Sequence, residues 1–216
     1  MRLRAVAGML GRKTKVDPSR AEAGSEKSVE YYDGIFHSDG KFHVHYAASP
    51  YYGVWTVILD RIRRITHPRI LEIGCGTGQL AKAIYDSGLA ESYRGFDFSP
   101  VAVQLSKERC PELDFGVADA LETDMYQTYD YNTVVTTEFL EHVERDTEVI
   151  SAIKPGTWFI GTVPNFPYRS HVRYFRDTME VIDRYARFFE SFEALPVLLN
   201  ERGTTVYLMQ GKTALQ

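Results

Sequence analysis

The chain has 216 residues, 44% of them hydrophobic and 25% charged, the proportions of an ordinary globular domain with enough apolar material for a core. No run approaches the roughly 18 apolar residues that a membrane-spanning helix needs. Two cysteines cannot build a disulfide framework, and a net charge of −4 gives no chain-wide basic field for nucleic acid. The expectation is a cytoplasmic protein.

The charge is unevenly spread. Arg2, Arg4, Arg12, Lys13, Lys15 and Arg20 stand against Asp17 and Glu22, so residues 1–24 carry a local +4. Residues 1–27 read as a basic, disordered tail, with a membrane-surface or RNA-contacting arm as the alternative. Residues 28–36 and 49–65 then show helical spacing, with Trp55, Leu59 and Ile62 recurring at three-to-four intervals. Ser49-Pro50 reads as an N-cap followed by proline at the first helical position. Between these helices His43 and His45 alternate. They read as part of a solvated loop, with a metal pair on a strand as the sharper alternative.

From residue 69 the rhythm becomes strand, helix, strand. Strands are expected at 70–73, 93–98, 114–118, 131–137 and 157–163. Helices are expected at 79–87, 99–109, 140–153 and 176–189. A terminal hairpin is expected from 192–199 and 204–210. Strands and helices alternating at this spacing make parallel strands with right-handed crossovers. The expected fold is α/β: a doubly wound Rossmann-like sheet, mostly parallel, with a C-terminal antiparallel hairpin. Residues 28–66 form a helical lid, and 67–216 form a single cofactor-binding core.

In such sheets ligands bind beyond the carboxyl ends of the strands. The first strand-to-helix turn is Glu72-Ile73-Gly74-Cys75-Gly76-Thr77-Gly78, whose glycines let the backbone approach a ligand closely. A dinucleotide fingerprint, G-x-G-x-x-G, matches only in a shifted frame beginning at Gly76, with Ala81 in the third position. Asp97, 19 residues after Gly78, stands where an acid accepts hydrogen bonds from a ribose. Asp119-Ala120 ends the third strand beside the expected adenine. Turn and cap chemistry is the bland account of both aspartates.

The run Ile70 to Gly78, then Gly95-Phe96-Asp97-Phe98-Ser99, then Ala118-Asp119-Ala120 resembles the class I S-adenosylmethionine-dependent methyltransferases. The resemblance covers the chain from about Tyr31 onward. It implies that S-adenosylmethionine is the cofactor and that Glu72, Gly74, Gly76, Gly78, Asp97, Phe98, Asp119, Ala120 and Thr137 bind it. Cys75 is then a small loop residue and not a nucleophile.

The fourth strand ends in Thr136-Thr137-Glu138-Phe139-Leu140-Glu141-His142-Val143. At the start of a helix, Glu138, Glu141 and His142 share a sector of roughly 100° on one face. Two carboxylates and an imidazole there suit a divalent cation. The alternative is glutamates that meet the helix dipole and a histidine that packs on the loop. Further on lies Val163-Pro164-Asn165, with His171 before an aromatic stretch. This E-x-x-E-H segment is similar to two branches of the family, the ubiquinone-biosynthesis O-methyltransferases and the small-RNA 2′-O-methyltransferases. The resemblance implies that Glu138, Glu141, His142 and His171 are metal ligands, for Mg²⁺ or Mn²⁺, that orient a hydroxyl. The small-RNA group has additional histidines that this chain lacks. Without metal, His142 becomes the general base.

The expected function is O-methylation of a hydroxyl on a small molecule or saccharide, with His142 and His171 as the catalytic histidines and no nucleic-acid partner. A nicotinamide-dependent oxidoreductase and a non-catalytic cofactor-binding module are the rivals. Aromatics such as Tyr31, Tyr32, Tyr51 and Trp55 are expected to lid the pocket, with core packing of amphipathic helices as the account of at least half of the aromatics in this segment. Arg169, Arg173 and Arg176, with the basic tail, read either as meeting an anionic group such as phosphate or carboxylate or as solvated charges on a loop.

Overall fold

The computed structural model describes residues 24–215. Most of the basic tail lies outside the described residues. Its last four residues do not: Gly24 N–H donates to the His171 carbonyl at 2.6 Å and Ser25 N–H to that of Arg169 at 3.4 Å.

Seven strands form one mixed sheet. β1 (Arg69–Ile73), β2 (Ser92–Asp97), β3 (Asp114–Val117), β4 (Thr133–Thr137) and β5 (Trp158–Pro164) are parallel. β6 (Phe189–Leu198) and β7 (Thr205–Thr213) form the terminal hairpin, with β7 antiparallel to β5. The order is β3-β2-β1-β4-β5-β7-β6, so the switch point lies between β1 and β4. Both faces of the sheet are covered, which is why the central strands are apolar on both sides. In β1, Leu71 and Ile73 face one core and Ile70 faces the other.

α1 (Val29–Ser38) and α2 (Tyr52–Arg63) form the lid region, joined by short 3₁₀ turns at Gly40–Phe42 and Tyr46–Ala48. α2 starts later than the Ser49-Pro50 reading. It has no side-chain cap, and the Ser49 hydroxyl instead accepts from Tyr51 N–H at 3.3 Å. α3 (Gln79–Asp86) and α4 (Pro100–Arg109) follow β1 and β2. α4 does begin on a serine–proline pair, with Ser99 Oγ accepting from Ala102 N–H at 3.0 Å. α5 (Met125–Thr128) is one turn that the sequence pattern did not indicate.

The long helix expected at 140–153 does not form. A 3₁₀ turn at Leu140–His142 precedes α6 (Asp146–Ala152). The reason is competition for carbonyls that a continuous helix would use. Arg173 takes those of Leu140 and Val143, and Val172 N–H takes that of Glu141 at 2.8 Å. The last helix is likewise shorter than expected. α7 (Thr178–Tyr185) is capped by Asp177, whose side chain accepts from Glu180 N–H at 3.0 Å, and gives way to a 3₁₀ turn at Ala186–Phe188.

Candidate active site

The glycine turn closes β1 and opens α3. Gly74, Gly76 and Gly78 have φ of +69°, +53° and +73°. A Cβ on Gly74 would lie 2.5 Å from the Phe139 ring, and one on Gly78 would lie 2.8 Å from Ser106 Cβ. Both positions therefore need glycine for conformation and for space. Asp97, at the end of β2, accepts from Gly76 N–H at 3.0 Å and Ser99 N–H at 2.9 Å, so its carboxylate bridges the glycine turn and the start of α4. Burial raises its pKa to about 6, against the lowering effect of those two N–H groups.

Glu72 is buried beneath the turn, and the Tyr93 hydroxyl donates to it. Burial pushes its carboxyl up to about 8. Cys75 is also buried, and its thiol is raised well above its ordinary value, which leaves it unreactive.

One cavity of about 330 Å³ spans the carboxyl ends of the strands. Glu72, Gly74, Gly76, Asp97, Phe98, Asp119, Ala120 and Thr137 all line it. Gly78 does not; it serves as the left-handed residue that starts α3. Asp119 also turns the chain, accepting from Leu121 N–H at 2.8 Å.

The lid is tied to the glycine turn through its backbone. Gln79 Nε2 donates to the carbonyls of Lys41 and Val44 at 3.1 and 2.9 Å. Arg109 and the Thr77 hydroxyl both donate to the Phe42 carbonyl, at 2.6 and 3.0 Å. In α1, Tyr32 stands edge-on to Phe98 on one side and to His142 on the other, with ring centroids 5.3 and 5.7 Å away. His43 and His45 are exposed, and His45 Nδ1 accepts from Ala47 N–H at 3.2 Å, as the loop reading expects.

The same cavity reaches Glu138, His142 and His171. The helical-face argument for this segment fails, because Glu138 has φ +52° and lies outside any helix. Glu141, His142 and His171 nevertheless come together, with one ligating atom from each within 4.8 Å of the others. Glu138 is not in that group. Its carboxylate accepts from the Thr162 hydroxyl at 3.1 Å and the Tyr51 hydroxyl at 3.3 Å. Burial moves it up to about 7, with both hydrogen bonds opposing the shift.

The cluster has a chemistry of its own. Both Glu141 oxygens are buried and accept no hydrogen bond. Burial, and then the charge of Glu138, raise this carboxyl well above the carboxylate range. His142 Nδ1 faces the Ser170 carbonyl at 2.8 Å, and His171 Nδ1 faces that of Phe166 at 3.0 Å. Each Nδ1 thus carries its proton, and each Nε2 is left as a lone-pair donor. Burial lowers the pKa of His142 to about 4 and that of His171 in the same direction, so both imidazoles are neutral. An unpaired buried carboxylate facing two neutral imidazoles, each oriented by a backbone carbonyl, fits a divalent cation.

Arg173 and Arg176 are not free for an acceptor. Arg173 turns inward to the backbone of residues 140–144, and Arg176 pairs with Glu180. Tyr51, Thr162, Ser170 and Arg109 also shape the site. No short motif marks them, since they act through long-range contacts.

A family profile described as a methyltransferase domain matches residues 47–208. A ubiquinone biosynthesis O-methyltransferase of Thiobacillus denitrificans is 27% identical over 112 residues, 48% of this chain and 47% of that one. The first curated relatives are matched over about a quarter to a half of their own length. An N-methyltransferase from Bradyrhizobium japonicum in complex with S-adenosylhomocysteine superposes with a TM-score of 0.67 at 15% identity, covering 86% of this chain and 97% of that one. The methyltransferase domain of bacterial CtHen1-C does so with a TM-score of 0.64 at 15% identity, covering 77% and 100%. The match decides against the nicotinamide alternative, as does a sheet whose far edge is an antiparallel hairpin and not a sixth parallel strand. The chain belongs to the methyltransferase domain family, as a class I S-adenosylmethionine-dependent member.

Proposed function

We propose that the protein methylates a hydroxyl oxygen of a small molecule or saccharide, with a divalent cation held by Glu141, His142 and His171. The observation that carries this reading is the buried Glu141 carboxylate with no hydrogen-bond partner, clustered with His142 and His171, which line the cavity that the glycine turn and Asp97 share. A bound cation supplies Lewis acidity that lowers the pKa of an acceptor hydroxyl. Transfer is an in-line displacement. The sulfur–methyl bond breaks, the oxygen–methyl bond forms, and the sulfonium becomes a neutral thioether.

The chain's own residues divide the remaining tasks. The glycine turn and Asp97 hold the donor. Tyr32, between Phe98 and His142, closes the cavity over the line of transfer. Glu138 lines the cavity outside the cluster and is placed to take the acceptor proton. His142 is better suited to ligation than to base catalysis, since an imidazole with a pKa of about 4 is a weak base at neutral pH. Lys27 and Arg169 at the cavity wall, beside the rings of Tyr31 and Tyr168, favour an acceptor with a ring and an anionic group.

The test is calorimetry with S-adenosylmethionine and with Mn²⁺, followed by turnover of catechol and sugar acceptors with and without chelator. The reading requires donor binding that survives chelation and turnover that does not. Full turnover in excess chelator overturns the cation.

A further inference from the structure

The turn that carries Glu141 and His142 is too short to hold its own shape. A single 3₁₀ turn satisfies few of its carbonyls, and buried carbonyls need donors. Three of those carbonyls find their donors in one side chain. Arg173 Nη1 donates to the carbonyls of Leu140 and Val143, and Nη2 donates to that of Glu144 at 2.9 Å. The guanidinium therefore grips the turn on both sides of Glu141 and His142. The same short segment supplies His171 to the cluster, and its Val172 N–H donates to the Glu141 carbonyl at 2.8 Å.

A guanidinium beside a cation site is unfavourable unless its charge is met. Asp146 meets it. This carboxylate is fully buried and lies 3.2 Å from Arg173 Nη1. Its other partners are Arg184, through Nε at 2.9 Å and Nη2 at 2.6 Å, the Tyr185 hydroxyl at 2.7 Å and Thr147 N–H at 2.9 Å. Arg184 thus shares the buried carboxylate, donating to Asp146 through both Nε and Nη2 and, among the described residues, not to the turn.

We propose that Arg173, neutralised by Asp146, is a positioning residue that sets the spacing of Glu141 and His142 against His171 and so determines the affinity of the site for a divalent cation. This rests on the cation reading above. Arg173 touches neither donor nor acceptor in this role; it acts through the backbone of the turn.

The experiment is Mn²⁺ titration calorimetry on the full chain, comparing wild type with Arg173→Gln, Arg173→Lys and Arg184→Gln, with melting temperature and S-adenosylmethionine affinity measured alongside. Removing a group that orients metal ligands costs roughly 10–100-fold in metal affinity. That loss is expected for Arg173→Gln. Arg173→Lys is expected to recover part of it, since an ammonium can reach fewer of the three carbonyls at once. Arg184→Gln loosens the same buried network without letting go of the turn, so it is expected to lower the melting temperature while Mn²⁺ affinity stays within about threefold of wild type. Equal loss of affinity in Arg173→Gln and Arg184→Gln would mean general destabilisation and overturns the positioning role. Unchanged affinity in Arg173→Gln overturns it too. A wild type that binds no Mn²⁺ overturns the cation reading itself, and this inference with it.

Discussion

His142 and His171 stand with ring centroids 4.8 Å apart, and each turns its Nδ1 to a backbone carbonyl, of Ser170 and of Phe166. Both carbonyls belong to the segment between β5 and α7, so one loop fixes the same tautomer on two neighbouring rings. His142 Nε2 then lies 3.7 Å from a Glu141 oxygen, and one ligating atom of His171 lies within 4.8 Å of the ligating atoms of both.

Cation affinity should therefore follow the protonation of Glu141. A cation competes with the proton for this carboxylate, and burial holds the proton on to well above the usual range. Mn²⁺ binding is expected to weaken as pH falls from 8 to 5.5, with protons released on binding at the lower pH. Calorimetry in buffers of different ionisation enthalpy checks this, and pH-independent affinity would count against Glu141 as a ligand.

The two glutamates of the segment should separate. Glu138 is hydrogen-bonded by Tyr51 and Thr162, whereas Glu141 accepts no hydrogen bond and has His142 Nε2 at 3.7 Å. Glu141→Gln is expected to weaken Mn²⁺ binding by more than about 100-fold, since a neutral amide is a poor ligand for a hard cation. Glu138→Gln is expected to leave Mn²⁺ binding within a few-fold and to lower turnover. The reverse order of effects would place Glu138 among the ligands.

Asp97→Ala should weaken S-adenosylmethionine binding by roughly 1.5–3 kcal/mol, about tenfold to a hundredfold, for loss of a charge-assisted hydrogen bond. It also releases Gly76 and Ser99, so the melting temperature should fall as well. A dissociation constant equal to wild type in a folded variant would move the donor elsewhere.

Much of the architecture is legible in the chain because its signals are local. Ser99-Pro100 caps its helix as expected, and the β-branched run of β4 forms its strand. The carboxyl-end residues Asp97, Ala120 and Thr137 do line one cavity. The segment at 138–146 was misread because its helical spacing is genuine, while an arginine some 30 residues away takes its carbonyls. Arg173 was misread for the same reason, since its sequence neighbours do not reveal which way it turns. Tyr51 reached Glu138 across a separation of 87 residues, beyond any local pattern.

Glu72 makes the ligand-free protein sensitive to alkali. Its folded pKa of about 8 lies above its unfolded value, so the folded state binds the proton more tightly. The stability this contributes is complete below the unfolded pKa of about 4.5 and is lost as pH rises through about 8. Asp97 and Glu138, raised to about 6 and about 7, act in the same sense. Glu72→Gln, which can still accept from Tyr93, should flatten the decline and gain about 1–3 kcal/mol at pH 8. Thermal melts at pH 6 and pH 8 measure it; an equal slope in wild type and variant would refute the assignment.

Gly78→Ala should cost stability and donor binding together. The residue sits at φ +73°, and its new methyl would lie 2.8 Å from Ser106 Cβ. The expected loss is about 1–3 kcal/mol, measurable by thermal melt. Wild-type stability in this variant would show that the turn and α4 can yield.

The carbonyls of Lys41, Phe42 and Val44 are held by Thr77, Gln79 and Arg109, residues of the donor turn and of the helices beside it. If the site works as proposed, the roof over the acceptor is therefore built on the floor of the donor site. Whatever ordering free energy one ligand supplies to this shared structure, the other does not have to supply again. By reciprocity each must then strengthen the other's binding by the same factor. An empty donor site leaves the acceptor chamber less well made, and this favours capture of the methyl acceptor by protein already carrying its donor.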